Sequence, residues 1–216
     1  MDRFRFALGL ALTAAAGAID AVSFTRFGAV YASFMSGNTV QLGLHGAERD
    51  WGLLGTFALL VALFMLGALL GGLVMAAAGR AAPALILVAN SLLLWAAVWI
   101  DVTLHVGLAS TAPLALAMGA QNQLVVLVQG ANPGTTFVTG TAFRFGDALA
   151  QALLRRDPNR AWRFHFAVWL AFGAGATAGA VASLELGERA LAPIALLMSA
   201  LAATALLRAL PSSRPA

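Results

Sequence analysis

Apolar residues come in long, unbroken runs along this chain. Six runs are readable, near Phe4–Phe24, Leu53–Ala77, Ala84–Ile100, Val106–Val128, Trp162–Leu184 and Ala190–Leu207. Each can cross roughly 30 Å of hydrocarbon as a helix of about 20 residues. In lipid the backbone must satisfy its own hydrogen bonds, so runs this long predict helices and not strands. Two intervening stretches, Thr25–Asp50 and Gln129–Arg160, are too long for simple loops. Both are rich in Gly, Ser, Thr and Asn, yet both keep apolar residues. The second carries Asn132, Thr135, Thr136, Thr139, Thr141, Arg144 and Asp147, too polar to face lipid. Non-helical backbone at membrane depth must be buried in protein or line a wet cavity. The two stretches therefore predict re-entrant or broken-helix segments, with surface loops outside the bilayer as the alternative.

The landmarks of the first half return in the second. Gly17-Ala18-Ile19-Asp20 faces Gly119-Ala120-Gln121-Asn122. Ser36-Gly37-Asn38-Thr39 faces Thr139-Gly140-Thr141-Ala142, and Gly43 faces Gly146. Phe64, Gly67 and Gly71 form FxxGxxxG, as do Phe172, Gly175 and Gly179; Pro83 and Pro193 open the third and sixth spans. One colinear order across about a hundred residues points to duplication. Three spans per unit would place the second unit upside down in the membrane, an inverted-topology repeat of the kind secondary transporters use. The predicted fold is thus an all-α integral membrane protein, one membrane domain over 1–216. Its six transmembrane helices form two inverted three-helix repeats, about 4–101 and 106–210, each with a polar re-entrant or broken-helix segment.

Composition agrees with that class. The chain has 216 residues, 61% hydrophobic and 10% charged, with 22 Gly, 7 Pro and no Cys. A soluble domain of this length would be roughly a quarter charged. A disulfide scaffold and a Cys-ligated metal are excluded. All 13 basic residues are Arg, and the formal charge is +4. They sit at the ends of spans without aromatic interleaving, which speaks against nucleic acid. With both termini in the cytoplasm the inner segments hold ten Arg, and only Arg26, Arg49 and Arg189 lie outside. The positive-inside rule selects that orientation. Arg3 and Arg5 before Phe6–Ala18 imitate a signal peptide. The end of this segment recurs in the second half, so the expectation is that it belongs to the fold.

The paired motifs Gly17-Ala-Ile-Asp20 with Ser36-Gly-Asn-Thr-Val40, and Gly119-Ala-Gln-Asn122 with Thr135-Thr-Phe-Val-Thr-Gly-Thr141, resemble those of the bacterial YoaK family. These are small multi-pass membrane proteins grouped as a domain of unknown function. The resemblance covers nearly the whole chain, with Ser36 where the family pattern has Thr. It implies the architecture and a bacterial inner-membrane location, and brings no substrate or reaction.

Among residues able to carry chemistry, Asp20 stands out. A carboxylate in an apolar helix must find a partner, water or a proton. It is either a proton- or cation-coupling acid or a structural group bonded to Asn122 or Arg26. Ser36, Gly37, Asn38 and Thr39, with Thr139, Gly140 and Thr141, have the residue types of helix starts. Two facing helix N-termini would suit a carboxylate or inorganic anion; plain capping explains the same residues. Gln121, Asn122, Gln123, Asn90 and Ser91 read mainly as interhelical glue, and the GxxxG pairs as packing faces. Arg144 pairs with Asp147 or greets an anion at the inner mouth. Arg155 to Arg163 suit anionic lipid. His45, His105 and His165 are scattered, so no metal site is expected. Ser36 with His45 lacks any motif of a hydrolase.

The expectation is a small secondary transporter or permease for a small anion or polar metabolite, proton-coupled through Asp20, without cofactor or enzymatic activity. The alternative is a non-transporting scaffold or a subunit of a larger complex. Membrane lipid and a small solute are the expected partners, and the size allows work alone or as a homodimer.

Overall fold

A computed structural model describes residues 3–129, 138–154 and 161–209. It is helical, with no strand among the described residues. The helices are α1 (Arg3–Arg26), α2 (Met35–Glu48), α3 (Trp51–Ala78), α4 (Ala82–Leu104), α5 (Gly107–Gln129), α6 (Val138–Leu153), α7 (Ala161–Leu186) and α8 (Ala192–Ala209). Four helical stretches are long and apolar enough to cross a membrane: Phe6–Arg26, Trp51–Leu104, Ala161–Arg189 and Ala192–Ala209. The second contains α3 and α4, separated by a single 3-10 turn at Gly79–Ala81. At 1.5 Å per residue its 54 residues would span about 80 Å if straight, far more than one bilayer. The break is local in cause. Gly79 has φ +52°, which few L residues adopt, and Pro83 follows in the first turn of α4. The same turn recurs before α8, where Gly187 has φ +54°.

The order long helix, short helix, long helix, 3-10 turn, helix thus occurs twice. The two polar stretches do not stay as loops: each contributes a short helix, α2 of 14 residues and α6 of 16. The long helices pack across the two halves, α1 against α7 and α3 against α5. Both crossings use the same positions. A Cβ on Gly17 would collide with the Phe172 carbonyl, and one on Gly119 with the Phe64 carbonyl. Gly175 lies on Ala14 as Gly67 lies on Leu116, and Gly179 lies on Ala18 as Gly71 lies on Ala120. The GxxxG faces are therefore spent within the chain. In each crossing both residue numbers rise together, so the paired helices run parallel.

α1 and α5 instead run antiparallel. Gln121 Nε2 donates to the Leu12 carbonyl at 3.1 Å, while Gly107 lies against Arg26 and Phe27. At one end of the bundle Thr25 donates to Ser183 at 3.0 Å, Arg26 meets Asp101, and His105 lies 2.9 Å from Glu188. At the other end the Arg208 guanidinium stacks on Phe4, 3.4 Å from the ring centre. The core is small and aliphatic, with Leu12, Ile19, Leu87, Leu94, Leu114 and Met118 fully buried. Leu59, Leu69, Leu92, Trp99, Leu184 and Leu207 point outward, as helices facing lipid require.

Candidate functional site

Asp20 lies on the last third of α1 and is buried, 4% exposed. Its two oxygens accept from one residue: Oδ1 from the Ser33 amide at 2.7 Å and Oδ2 from the Ser33 hydroxyl at 2.6 Å. The amides of Ala32 and Phe34 also turn toward it. Ser33 immediately precedes Phe34, the N-cap of α2, and Phe34 offers no side-chain cap. Asp20 thus anchors, from another helix, the backbone just ahead of the α2 N-cap, on the positive side of that helix's dipole. Ser33 is drawn to the depth of Asp20, and α2 starts there.

Asn38 fixes the same segment from the other side. Its Oδ1 accepts from the Tyr31 amide at 3.1 Å and its Nδ2 donates to the Tyr31 carbonyl at 2.6 Å. Two side chains therefore clamp residues 31–33, one from α1 and one from α2. The clamp brings Tyr31 between Phe24 and Phe34, with ring centres 5.3 Å and 5.2 Å apart, the first pair stacked and the second edge-on.

Against this segment lies an open cleft of about 600 Å³ between α1 and α7. Its walls include Asp20, Phe24, Tyr31, Phe34, Phe172 and Thr139. Thr139 is the second residue of α6, so the starts of α2 and α6 border one cleft. Asp20 is the one charged residue in the described wall, and it forms no ion pair with a described cation.

Of the residues singled out by sequence, Asp20 and Thr139 come together here. Asn38 and Thr141 are buried but lie outside the wall, and Ser36 and Thr39 are exposed on α2. Gly37 packs under Phe34, while Gly140, Asn122 and Arg144 are half-buried and outside the described wall. The antiparallel register of α1 and α5 sets Asp20 level with Pro113, nine residues short of Asn122. That is a separation of about 14 Å along the helix axis, so Asn122 is not the partner of Asp20. Nor is Arg26, whose Nη2 lies 3.3 Å from both oxygens of Asp101. Asn132, Thr135, Thr136, Arg155, Arg156 and Arg160 lie outside the described residues. The aromatic wall is the part that sequence reasoning missed. Phe24, Tyr31 and Phe34 bracket the clamped segment, and that local density was its visible trace.

Three of the residues read as glue bridge helices, and Asn90 does not. Gln121 bonds α1, Gln123 Nε2 donates to the Ala68 carbonyl on α3 at 3.1 Å, and Ser91 meets Ser199 on α8 at 2.8 Å. Asn90, fully buried, has no partner for either amide atom among the described residues. His45 lies 3.3 Å from Glu48 and stacks on Phe57, away from Ser36. No group of His, Asp and Glu able to hold a metal occurs among the described residues.

Long apolar helices with glycine-tight crossings define a helical transmembrane protein. The family model described as "Protein of unknown function (DUF1275)" matches residues 8–204. The chain belongs to that family, of which the YoaK proteins are members. It is 34% identical over 195 residues to the UPF0700 transmembrane protein RA0705 of Rhizobium meliloti (strain 1021), covering 88% of this chain and 83% of the relative. No solved structure matches the chain.

Proposed function

We propose that the chain is a small secondary transporter of the bacterial inner membrane, with six spans in two inverted repeats and both termini in the cytoplasm. The cleft carries this reading: it lies between long helices of different halves and is bordered by the starts of both short helices. Discontinuous helices that begin at the interface of two halves are where transporters bind solute. The antiparallel course of α1 and α5, equivalent helices of the two halves, supports inversion. The contact of Phe4 with Arg208 supports termini on one side. Asp20, an acid in a spanning helix beside the cleft, is the group through which a proton gradient would act. The solute is a small charged or polar metabolite.

The test is uptake into liposomes reconstituted with the purified protein, screened over small solutes with and without a pH gradient. Thr177→Trp, at an exposed position on the cleft wall, should leave the protein folded and abolish uptake. Retained uptake in that variant would remove the cleft from the pathway. A scaffold would show no saturable uptake for any solute while the protein remains folded.

A further inference from the structure

We infer that the cleft between α1 and α7 selects an organic cation with an apolar body, held by aromatic faces beside the Asp20 carboxylate. The inference rests on the transporter reading for its role and on the cleft alone for its chemistry.

Four aromatic rings, those of Phe24, Tyr31, Phe34 and Phe172, border one space. Ring faces carry negative quadrupole charge and attract ammonium groups, most strongly where water is excluded. Tyr31 stands edge-on to Phe34 and stacked with Phe24, so the three rings present surfaces in more than one plane. A wall of that kind encloses a rounded cation better than a flat neutral ring. The space, about 600 Å³, suits a ligand of drug-like size.

Charge points the same way. The one carboxylate in the described wall is Asp20, no basic side chain lines it, and the cation nearest in sequence, Arg26, is committed to Asp101. The α2 N-terminus offsets only part of Asp20, because a helix end carries about half a unit charge. An anion would meet a like charge at short range in a poorly screened setting. It would also compete with Asp20 for the Ser33 amide just ahead of α2, which Asp20 already holds. The small anion suggested by two facing helix starts is therefore the disfavoured class, and a cation the favoured one.

The experiment measures equilibrium binding to the full chain in nanodiscs of phosphatidylglycerol. Phenyltrimethylammonium is the probe, with benzyl alcohol and benzoate as neutral and anionic controls. Saturable binding is expected for the cation alone. Asp20→Asn should weaken it by roughly 10-fold or more, and Tyr31→Leu and Phe172→Leu by several-fold each. Helix content and a single gel-filtration peak establish that each variant is folded. If Asp20→Asn does not fold, the two ring variants carry the test. Saturable benzoate binding, or unchanged cation affinity in the folded variants, overturns the inference. Replacing half of the lipid by phosphatidylethanolamine separates two sources of the same chemistry. Competition assigns the ammonium to a lipid headgroup, and its absence assigns it to a free solute; both retain the cation site. Binding without uptake leaves the site standing and removes the transporter reading. Uptake of another solute without cation binding does the reverse.

Discussion

Gly17 of α1 rests directly on the carbonyl of Phe172 in α7, and the same pairing is made by Gly119 with Phe64. Backbone meets backbone at both crossings, so a methyl group has nowhere to go. Gly17→Ala and Gly119→Ala should each force the helices apart and lose the folded protein, as overpacking of about 1–3 kcal/mol or more does. Gly43 and Gly146, equally prominent as sequence landmarks, have nothing among the described residues within 4 Å of an added Cβ. Gly43→Ala and Gly146→Ala should be neutral or stabilising, by up to about 1 kcal/mol. Thermal melts in detergent, read by gel filtration, separate the two groups.

Arg26 and Asp101 tie α1 to α4, with side chains 21% and 4% exposed. Arg26→Gln leaves Asp101 buried without its cation, at a cost of about 3–5 kcal/mol. The double change Arg26→Met with Asp101→Leu removes both charges and should recover most of that loss. A double-mutant cycle on unfolding temperature checks it; a double variant as unstable as the single one would show that packing, and not charge, is at stake.

The long helices were legible because a membrane leaves the sequence little choice: apolar runs 20 residues long have one stable backbone form in lipid. Each observed end lies within a few residues of its run, for example Trp51–Ala78 against Leu53–Ala77. Repetition was legible because backbone contact at Gly17, Gly67, Gly119 and Gly175 demands glycine at matched places. Side-chain partners were not. Asp20 finds Ser33 thirteen residues on, around a turn that sequence does not place, while the nearer Arg26 is carried past it to Asp101. The motif residues Asn38 and Thr141 read as solute-facing because they are polar; both are buried, and Asn38 spends its amide on Tyr31.

Asn90 is fully buried, and neither its Oδ1 nor its Nδ2 has a partner among the described residues. Such a group costs about 1–3 kcal/mol in desolvation. Asn90→Leu, close in volume, should raise the unfolding temperature. Ser91→Ala one residue on removes the bond to Ser199 and should lower it slightly. A lowered temperature in Asn90→Leu would mean that the amide serves a bound species.

Topology is open to direct chemical reading, since the chain has no Cys. Cys introduced at Glu48 or Glu185 should react with an impermeant maleimide added outside intact cells, and Cys at Arg80 should react only after permeabilisation. α2 starts at the depth of Asp20, so its end at Glu48 returns to the face from which residues 27–34 enter. Labelling of position 80 from outside would contradict six crossings and favour eight spans in parallel repeats.

The Asp20–Ser33 pair separates structure from coupling within one site. Ser33→Ala deletes the 2.6 Å bond from its hydroxyl and leaves the 2.7 Å bond from its amide. A hydrogen bond to a charged group contributes about 1.5–3 kcal/mol, so this variant should melt earlier yet keep its acid. Asp20→Asn reverses the trade. Its Oδ1 still accepts from the Ser33 amide, and its new NH₂ can donate to the hydroxyl oxygen, so α2 keeps its anchor. What it loses is the ability to change charge. A proton on Asp20 would turn an acceptor at the start of α2 into a donor, a difference able to bias two arrangements of that helix. Ser33→Ala should therefore keep the pH dependence of uptake at reduced stability. Asp20→Asn should keep the fold and lose that dependence. Identical pH profiles for Asp20→Asn and the parent, with both folded, would remove the coupling role from Asp20 and leave its anchoring of α2.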